Sequence, residues 1–186
     1  MGSDDRMTRI GIDAGHGMSS RTPGVFDPGA TNQVFREADI VLLYAHALED
    51  EAQRRGWPTF MTRRDNVMPS PLNKRVLSAL VAECSVLISI HCNASPITAA
   101  NGVETLYLHD KDLADRIQVR VSDVMGLRDR GTKERDDLAI LRFPSSALVE
   151  LGFLSNPWDL AMLLKPEKPV QVAAAICNAI SHSEDL

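Results

Sequence analysis

The sequence has 186 residues, of which 44% are hydrophobic and 24% are charged, a composition typical of one globular domain with a sizeable core. Its formal net charge of -5 argues against broad electrostatic attraction to nucleic acid or to an anionic membrane. Three cysteines without a CxxC pair argue against a disulfide framework, and no apolar run approaches the ~20 residues that a membrane span needs. Apolar runs alternate with helical patterns, which predicts a layered α/β fold with a mainly parallel sheet.

The first half of the chain is predicted to alternate strands with helices. The expected elements are, in order, a strand at residues 8–13, a loop rich in Gly, Pro and Ser to about 34, a helix at 36–55, a short strand at 58–62, a helix at 71–83 and a central strand at 85–91. The inward stripe of the first helix is Val41, Tyr44 and Leu48. The second helix is expected to turn four residues inward: Leu72, Val76, Ala79 and Leu80.

The second half continues the alternation. Its expected elements are a strand at 103–109, a helix at 112–126, a polar loop at 128–137, a short strand at 138–142, a central strand at 147–153, and two closing helices at 157–164 and 167–181. The last helix is expected to bury Val170, Ala173, Cys177 and Ile180 on one stripe.

The first seven residues are predicted to be an N-terminal extension or cloning remnant, with the folded domain at 8–186. The start, MGSDDRMTR, contains no apolar segment of the kind found in signal peptides. We therefore expect a chain that stays in the cytoplasm until another protein releases it. A monomer is expected.

Two histidines follow strands at the sheet edge where open α/β folds place their functional crevice. His16 lies in the Gly-rich turn after the first strand, and His91 ends the central strand. Either one alone could be a turn residue or a hydrogen-bonded core residue. Together they are candidates for metal ligands.

Two glutamates stand on apolar surfaces. Glu37 shares the stripe of the first helix with Val41 and Tyr44, where a carboxylate is costly unless it is paired or bound to metal. Glu150 interrupts an otherwise apolar strand, so it requires a partner or a raised pKa. The alternatives are a solvent-facing Glu37 and a structural salt bridge of Glu150.

Two imidazoles and a carboxylate form a known set of catalytic zinc ligands that leaves one position open. A second carboxylate beside that position can act as general base and then general acid. The residues His16, Glu37, His91 and Glu150 therefore predict a metallohydrolase.

Eight segments, in order along the chain, carry a family resemblance. They are Ile12–Gly17 (IDAGHG), Asp27–Ala30 (DPGA), Glu37, Thr62–Asp65 (TRRD), Leu72–Arg75 (LNKR), Ser89–Ala94 (SIHCNA), Gly102–Thr105 (GVET) and Leu148–Asn156 (LVELGFLSN). With these, the chain resembles the zinc-dependent N-acetylmuramoyl-L-alanine amidases of the type-3 family, found in bacterial autolysins and phage endolysins.

The resemblance implies a function and a site. The fold would be a twisted, mainly parallel six-stranded sheet between helices. One Zn²⁺ would bind His16, Glu37 and His91, and Glu150 would be the catalytic carboxylate. The substrate would be peptidoglycan, cut at the amide between N-acetylmuramic acid and L-alanine. Only 59 positions separate His91 from Glu150, which leaves little room for the regulatory helix that blocks the site in the cell-division amidases of this family. The implied role in cell-wall degradation is therefore that of an endolysin with an open site rather than that of a regulated autolysin.

Three further residues are weaker candidates. Asp13 and Asn93 could orient the ligating histidines, although capping of a turn or strand is the simpler reading. Arg142 could contact a carboxylate of the stem peptide, although a surface role is simpler. Two other functions use the same residues: a zinc peptidase resembling carboxypeptidases, and a wall-binding module without catalysis.

Overall fold

The computed structural model describes residues 9–181, so the predicted extension at residues 1–7 lies outside the described part. Within residues 9–181 the chain forms the following strands: β1 (Ile10–Ala14), β2 (Gly17–Met18), β3 (Phe26–Asp27), β4 (Thr59–Met61), β5 (Val86–Asn93), β6 (Val103–Tyr107), β7 (Asp129–Glu134) and β8 (Ser146–Phe153). The helices of the same part are α1 (Glu37–Arg54), α2 (Leu72–Val81), α3 (Lys111–Met125), α4 (Pro157–Leu163) and α5 (Lys168–Ser181), with a 3-10 turn at Ala139–Arg142.

The main sheet confirms the predicted fold class. In the described residues it has six strands in the order β4-β1-β5-β8-β6-β7, and every pairing is parallel except that of β6 with β8. The parallel strands β1, β5 and β8 lie side by side at its centre, so their carboxyl ends meet at one edge. Such an edge is where ligands bind in open α/β sheets.

Helices cover both faces of the sheet, which gives the three layers that were predicted. The larger core lies on one face and includes the buried sides of α1, α3 and α5. Val41, Tyr44 and Leu48 are fully buried there, as the stripe of α1 predicted. A smaller core on the other face joins α2 and the 3-10 turn to the sheet.

Local sequence explains where α3 and α4 begin. Asp110 accepts a hydrogen bond from the amide of Leu113 at 3.0 Å and so caps α3. Asn156 caps α4 through the amides of Trp158 and Asp159, and Pro157 stands in the first turn, where its missing N–H costs nothing. None of the described helices is both long enough and apolar enough to cross a membrane.

Two predictions between α3 and β8 are wrong. The expected polar loop at 128–137 contains β7, an edge strand that pairs only with β6 in the described sheet. Its sequence, DRGTKE, lacks alternating apolar residues because it buries no full face. The expected strand at 138–142 is the 3-10 turn, which buries Ile140 and Leu141 in the smaller core instead of extending the sheet.

The inward face of α2 is also different from the prediction. Ala79 is fully buried and Val76 is partly buried, but Leu72 and Leu80 are 41% and 48% exposed. The helix instead buries Arg75, four residues before Ala79 on the same face.

The stripe predicted for α5 is correct in three of its four positions. Ala173, Cys177 and Ile180 are buried, whereas Val170 in the first turn is 59% exposed. The loop after β1 contains the short antiparallel pair β2–β3, which was not predicted.

Candidate active site

The fold brings the four predicted site residues to one edge of the sheet. His16 lies two residues after β1, and His91 and Glu150 are direct neighbours on the paired strands β5 and β8. Glu37 is the first residue of α1. Residues far apart in sequence therefore line one cleft.

His16, Glu37 and His91 form a compact cluster. The Nε2 atom of His16 lies 3.0 Å from Oε2 of Glu37, and Nδ1 of His91 lies 2.9 Å from Oε1 of the same carboxylate. The two imidazole rings meet edge-on with centroids 4.9 Å apart. One candidate ligand atom from each residue lies within 4.8 Å of the others. The three side chains can therefore face a single cation.

Glu37 is fixed in place by its surroundings. It is 3% exposed, and its carboxylate accepts hydrogen bonds from the backbone amides of Ala30 and Cys92 at 2.8 and 2.9 Å. Burial raises the pKa of Glu37, but the hydrogen bonds and charges of the two histidines outweigh burial and hold that pKa well below its usual range. The residue is a carboxylate at any ordinary pH.

Asp27 orients His16, a role that the sequence reading did not assign. Oδ2 of Asp27 lies 3.0 Å from Nδ1 of His16, which leaves Nε2 directed at Glu37. Burial alone would raise the pKa of Asp27, but the hydrogen bonds from the Gly29 amide and the His16 imidazole outweigh burial. The pKa of Asp27 is therefore lower than its usual value. A carboxylate behind a ligating imidazole fixes its tautomer and its orientation. The available signal was the position of Asp27 in the DPGA segment.

His91 packs against the backbone of the turn that carries His16. A Cβ atom at Gly15 would lie only 2.3 Å from Cε1 of His91, so glycine is required there for the ring to fit. Burial lowers the pKa of His91, but the hydrogen bond and charge of Glu37 outweigh it and raise that pKa.

Glu150 differs from its neighbour across the sheet. Glu104 on β6 is its antiparallel partner, and it is ion-paired at 2.6 Å with both Arg130 and Lys133. Burial raises the pKa of Glu104, but these two cations outweigh burial and lower that pKa. In contrast, Oε2 of Glu150 is enclosed and has no hydrogen-bond partner among residues 9–181. Burial, reinforced by the charges of Glu37 and Glu104, raises the pKa of Glu150 to about 7 despite the two histidines. An enclosed acid without a partner beside three candidate ligands is a typical functional anomaly.

The cleft around these groups has a volume of about 410 Å³. Leu138 and Leu148 supply apolar wall, and the cations that line it within the described chain are Arg21 and Arg135. Arg142, the cation suggested by the sequence, is exposed on the 3-10 turn outside this cleft.

Comparison with known proteins identifies the family. The sequence profile described as N-acetylmuramoyl-L-alanine amidase matches residues 10–182. The chain belongs to the N-acetylmuramoyl-L-alanine amidase family. The family membership confirms the resemblance read from the eight segments.

Individual proteins are similar to nearly the whole of this chain. The catalytic domain of the N-acetylmuramoyl-L-alanine amidase CwlV from Bacillus (Paenibacillus) polymyxa var. colistinus superimposes with a TM-score of 0.85 at 29% identity, covering 96% of this chain and 99% of that one. The amidase LytC of Bacillus subtilis is 31% identical over 90% of this chain, which spans only 34% of LytC. The uncharacterised Bacillus subtilis protein YqiI is 33% identical over 94% of this chain and 84% of its own length.

Within residues 9–181, the hydrogen bonds of Asp13 and Asn93 go to groups other than the imidazoles of the cluster. Asp13 is 1% exposed and accepts hydrogen bonds from Thr62, Ser89 and Arg75. Asn93 donates to Glu104 at 3.1 Å. The simpler reading of both residues as structural is the one that their contacts favour.

Proposed function

We propose that this chain is a zinc-dependent amidase that hydrolyses the amide between N-acetylmuramic acid and L-alanine in peptidoglycan. The observation that carries the proposal is the cluster of His16, Glu37 and His91 with the enclosed carboxylate of Glu150 in the same cleft. Family membership supports the substrate, because the matching profile and the relatives LytC and CwlV are named for this activity.

The donor set fits zinc. Two imidazole nitrogens and one carboxylate are among the ligand sets that catalytic zinc takes, with a position left for a reacting group. The imidazoles of His16 and His91 lie 3.0 and 2.9 Å from the two oxygens of Glu37, and one ligand atom from each of the three residues lies within 4.8 Å of the others, which brings all three within reach of one ion. When bound, Zn²⁺ would supply Lewis acidity that polarises a carbonyl and acidifies a water molecule.

Glu150 is the group of this chain that moves the proton. Its carboxylate accepts a proton from the attacking water and delivers it to the departing nitrogen of L-alanine. The pKa of Glu150, about 7, suits an acid that must take up a proton and release it again near neutral pH. Asp27 would hold the ring of His16 in position through Nδ1.

Product analysis tests this function. Purified peptidoglycan should release new amino termini of L-alanine without new reducing sugar ends, and a chelator should abolish the release until Zn²⁺ is restored. Free termini of a different amino acid would favour the zinc peptidase instead. Zinc binding without any product would favour a wall-binding module.

The biological setting is part of the proposal and has its own support. We propose that the chain acts on the cell wall in the manner of an endolysin, since the site residues line a cleft open to solvent and the span between His91 and Glu150 is short. Lysis of intact cells by the protein added from outside, compared with lysis of purified walls, tests that role.

A further inference from the structure

The turn that carries His16 has a backbone conformation that requires external support. His16 has φ = +63°, in the left-handed region that residues with a Cβ seldom adopt. Such a residue costs on the order of 1 kcal/mol or more and persists only where its surroundings hold it. The carbonyls of Ala14, Gly15 and His16 all need hydrogen-bond donors in this turn, and each receives one from an arginine side chain.

Arg63 supplies two of these donors. It is fully buried, and it donates to the carbonyl oxygens of Ala14 at 2.8 Å and Gly15 at 2.7 Å. The same guanidinium donates at 2.8 Å to the carbonyl of Ala38, which follows Glu37 in the first turn of α1. One side chain therefore joins the backbone of the His16 turn to the backbone beside Glu37.

Arg75 supplies the donor to His16 itself. Its guanidinium is 2% exposed and donates at 2.7 Å to the carbonyl oxygen of His16, and at 3.0 Å to Oδ1 of Asp13. Asp13 also accepts a hydrogen bond at 2.6 Å from Ser89, two residues before His91 on β5. Arg75 therefore links the turn of one candidate ligand to the strand of another.

Burying these charged groups carries a large desolvation free energy, which indicates that they have a specific role. Two guanidinium groups are removed from water, and Asp13 is the buried carboxylate that pairs with Arg75 at 3.0 Å. Apolar side chains would fill such a volume at lower cost in desolvation. Space is also reserved: a Cβ at Gly17 would lie 2.7 Å from Cδ of Arg63. The TRRD and LNKR segments, whose function the metal cluster leaves unexplained, contribute these two arginines.

We propose that Arg63 and Arg75 are positioning residues that hold the backbone of His16 and Glu37 in the arrangement that binds the metal. This inference rests on the proposed zinc site. In this arrangement the arginines act on the candidate ligands through backbone carbonyl oxygens.

Zinc affinity is the decisive measurement. We would prepare Arg63→Lys and Arg75→Lys, which keep the positive charge but lack the planar guanidinium with its five donors in a fixed arrangement. Each variant would be titrated with Zn²⁺ against a chromophoric chelator. Loss of an orienting partner behind a metal ligand typically weakens metal binding ~10–100-fold, and we expect that range here. The absorption spectrum of the Co²⁺-loaded variants should change as well, because the ligands are held differently.

A matched control separates positioning from general destabilisation. Ile117→Ala removes fully buried atoms from α3, which contributes no residue to the site. It should lower the melting temperature at least as much as the lysine variants while leaving zinc affinity within about twofold of wild type, since distant sites behave independently. Lysine variants that bind Zn²⁺ as tightly as wild type, or that lose no more affinity than Ile117→Ala, would overturn the inference.

A measurement on the wild-type protein covers the case in which the variants do not fold. The buried side-chain N–H groups of Arg63 and Arg75 should exchange slowly with water in NMR spectra of the metal-free protein, and their signals should shift when Zn²⁺ is added. Rapid exchange in the folded, metal-free protein would contradict the proposal that Arg63 and Arg75 hold the backbone of the site. A wild-type protein that binds no zinc would instead refute the proposed function, so the two failures are distinguishable.

Discussion

Replacing Glu150 with glutamine should make the metal-free protein more stable and should remove the activity of the zinc-loaded protein. The carboxylate has an ordinary pKa of 4.5, and folding raises that pKa to about 7 because Oε2 is enclosed without a partner. A group whose folded pKa is raised disfavours folding when it is ionised, so stability falls as the pH rises from about 4.5 through 7 and then levels off. Glutamine has nearly the same shape and never ionises, so it escapes this loss.

The magnitude follows from the two pKa values. Each pKa unit corresponds to about 1.4 kcal/mol, so a rise from 4.5 to about 7 makes the ionised side chain cost at most about 3.5 kcal/mol. Because Glu150 lines an open cleft and water reduces the effect, we expect Glu150→Gln to gain about 1–3 kcal/mol at pH 8 and less than about 1 kcal/mol at pH 5. With a urea slope of roughly 2 kcal/mol/M, the midpoint at pH 8 should rise by about 0.5–1.5 M. Activity of the zinc-loaded variant should fall ~10²-fold or more.

The neighbouring Glu104 provides a control, because its replacement by glutamine should change the free energy of unfolding in the opposite direction. Its pKa is lowered by Arg130 and Lys133, so Glu104→Gln should reduce stability at pH 8 instead of increasing it. Urea unfolding of chelator-treated wild type and both variants at the two pH values gives the comparison. An identical dependence of stability on pH in wild type and Glu150→Gln would refute the argument that Glu150 is an uncompensated acid.

Three other predictions follow from contacts in and under the cleft. Added Zn²⁺ should raise the melting temperature of the chelator-treated protein, with a stabilisation of about 2.7 kcal/mol at 100 times the dissociation constant, measured by calorimetry; no shift would count against a zinc site. Arg135 lines the cleft and is ion-paired with Asp137 at 2.7 Å, and we expect it to be the cation that meets a carboxylate of the stem peptide. Arg135→Ala should therefore raise KM for a muramyl peptide roughly fivefold with kcat little changed, whereas Arg142→Ala, outside the cleft, should leave both constants unaltered. Asp13→Asn should cost about 3–5 kcal/mol at pH 7 because it leaves Arg75 buried without its charged partner. Burial alone would raise the pKa of Asp13, but Arg75, Ser89 and Thr62 outweigh burial, so that pKa is lowered. The wild type should therefore lose this stabilisation as the pH falls below about 4. Urea unfolding of the variant should depend less on acid pH.

The sequence was sufficient to predict elements in which the pattern of apolar and polar side chains follows burial. Central strands such as β5 and β8 are apolar on both faces, so a polar residue within them stands out, and Glu150 was found in this way. An edge strand has no such signature. The polar β7 is held by backbone hydrogen bonds to β6, and a polar sequence can make those bonds as well as an apolar one can.

The groups around the cluster could not be predicted because their partners are backbone atoms or distant residues. Arg63 and Arg75 bind carbonyl oxygens, which leave no trace in the sequence. The same cause explains part of the error in α2, where the helix buries Arg75 on the side of Ala79 while Leu80 is 48% exposed. Asp27 reaches His16 only because the β2–β3 pair folds the long loop back, and such short pairs have no detectable periodicity.

The position of β8 has a consequence for how the protein comes together. This strand, late in the chain, lies between β5 and β6, which are neighbours in sequence and cannot pair with each other in the finished sheet. A nascent chain that ends before residue 146 contains all the candidate metal ligands but leaves a gap at the centre of its sheet. Completion of the sheet and delivery of Glu150 are thus a single event, and an amino-terminal fragment should be catalytically silent whatever metal it captures.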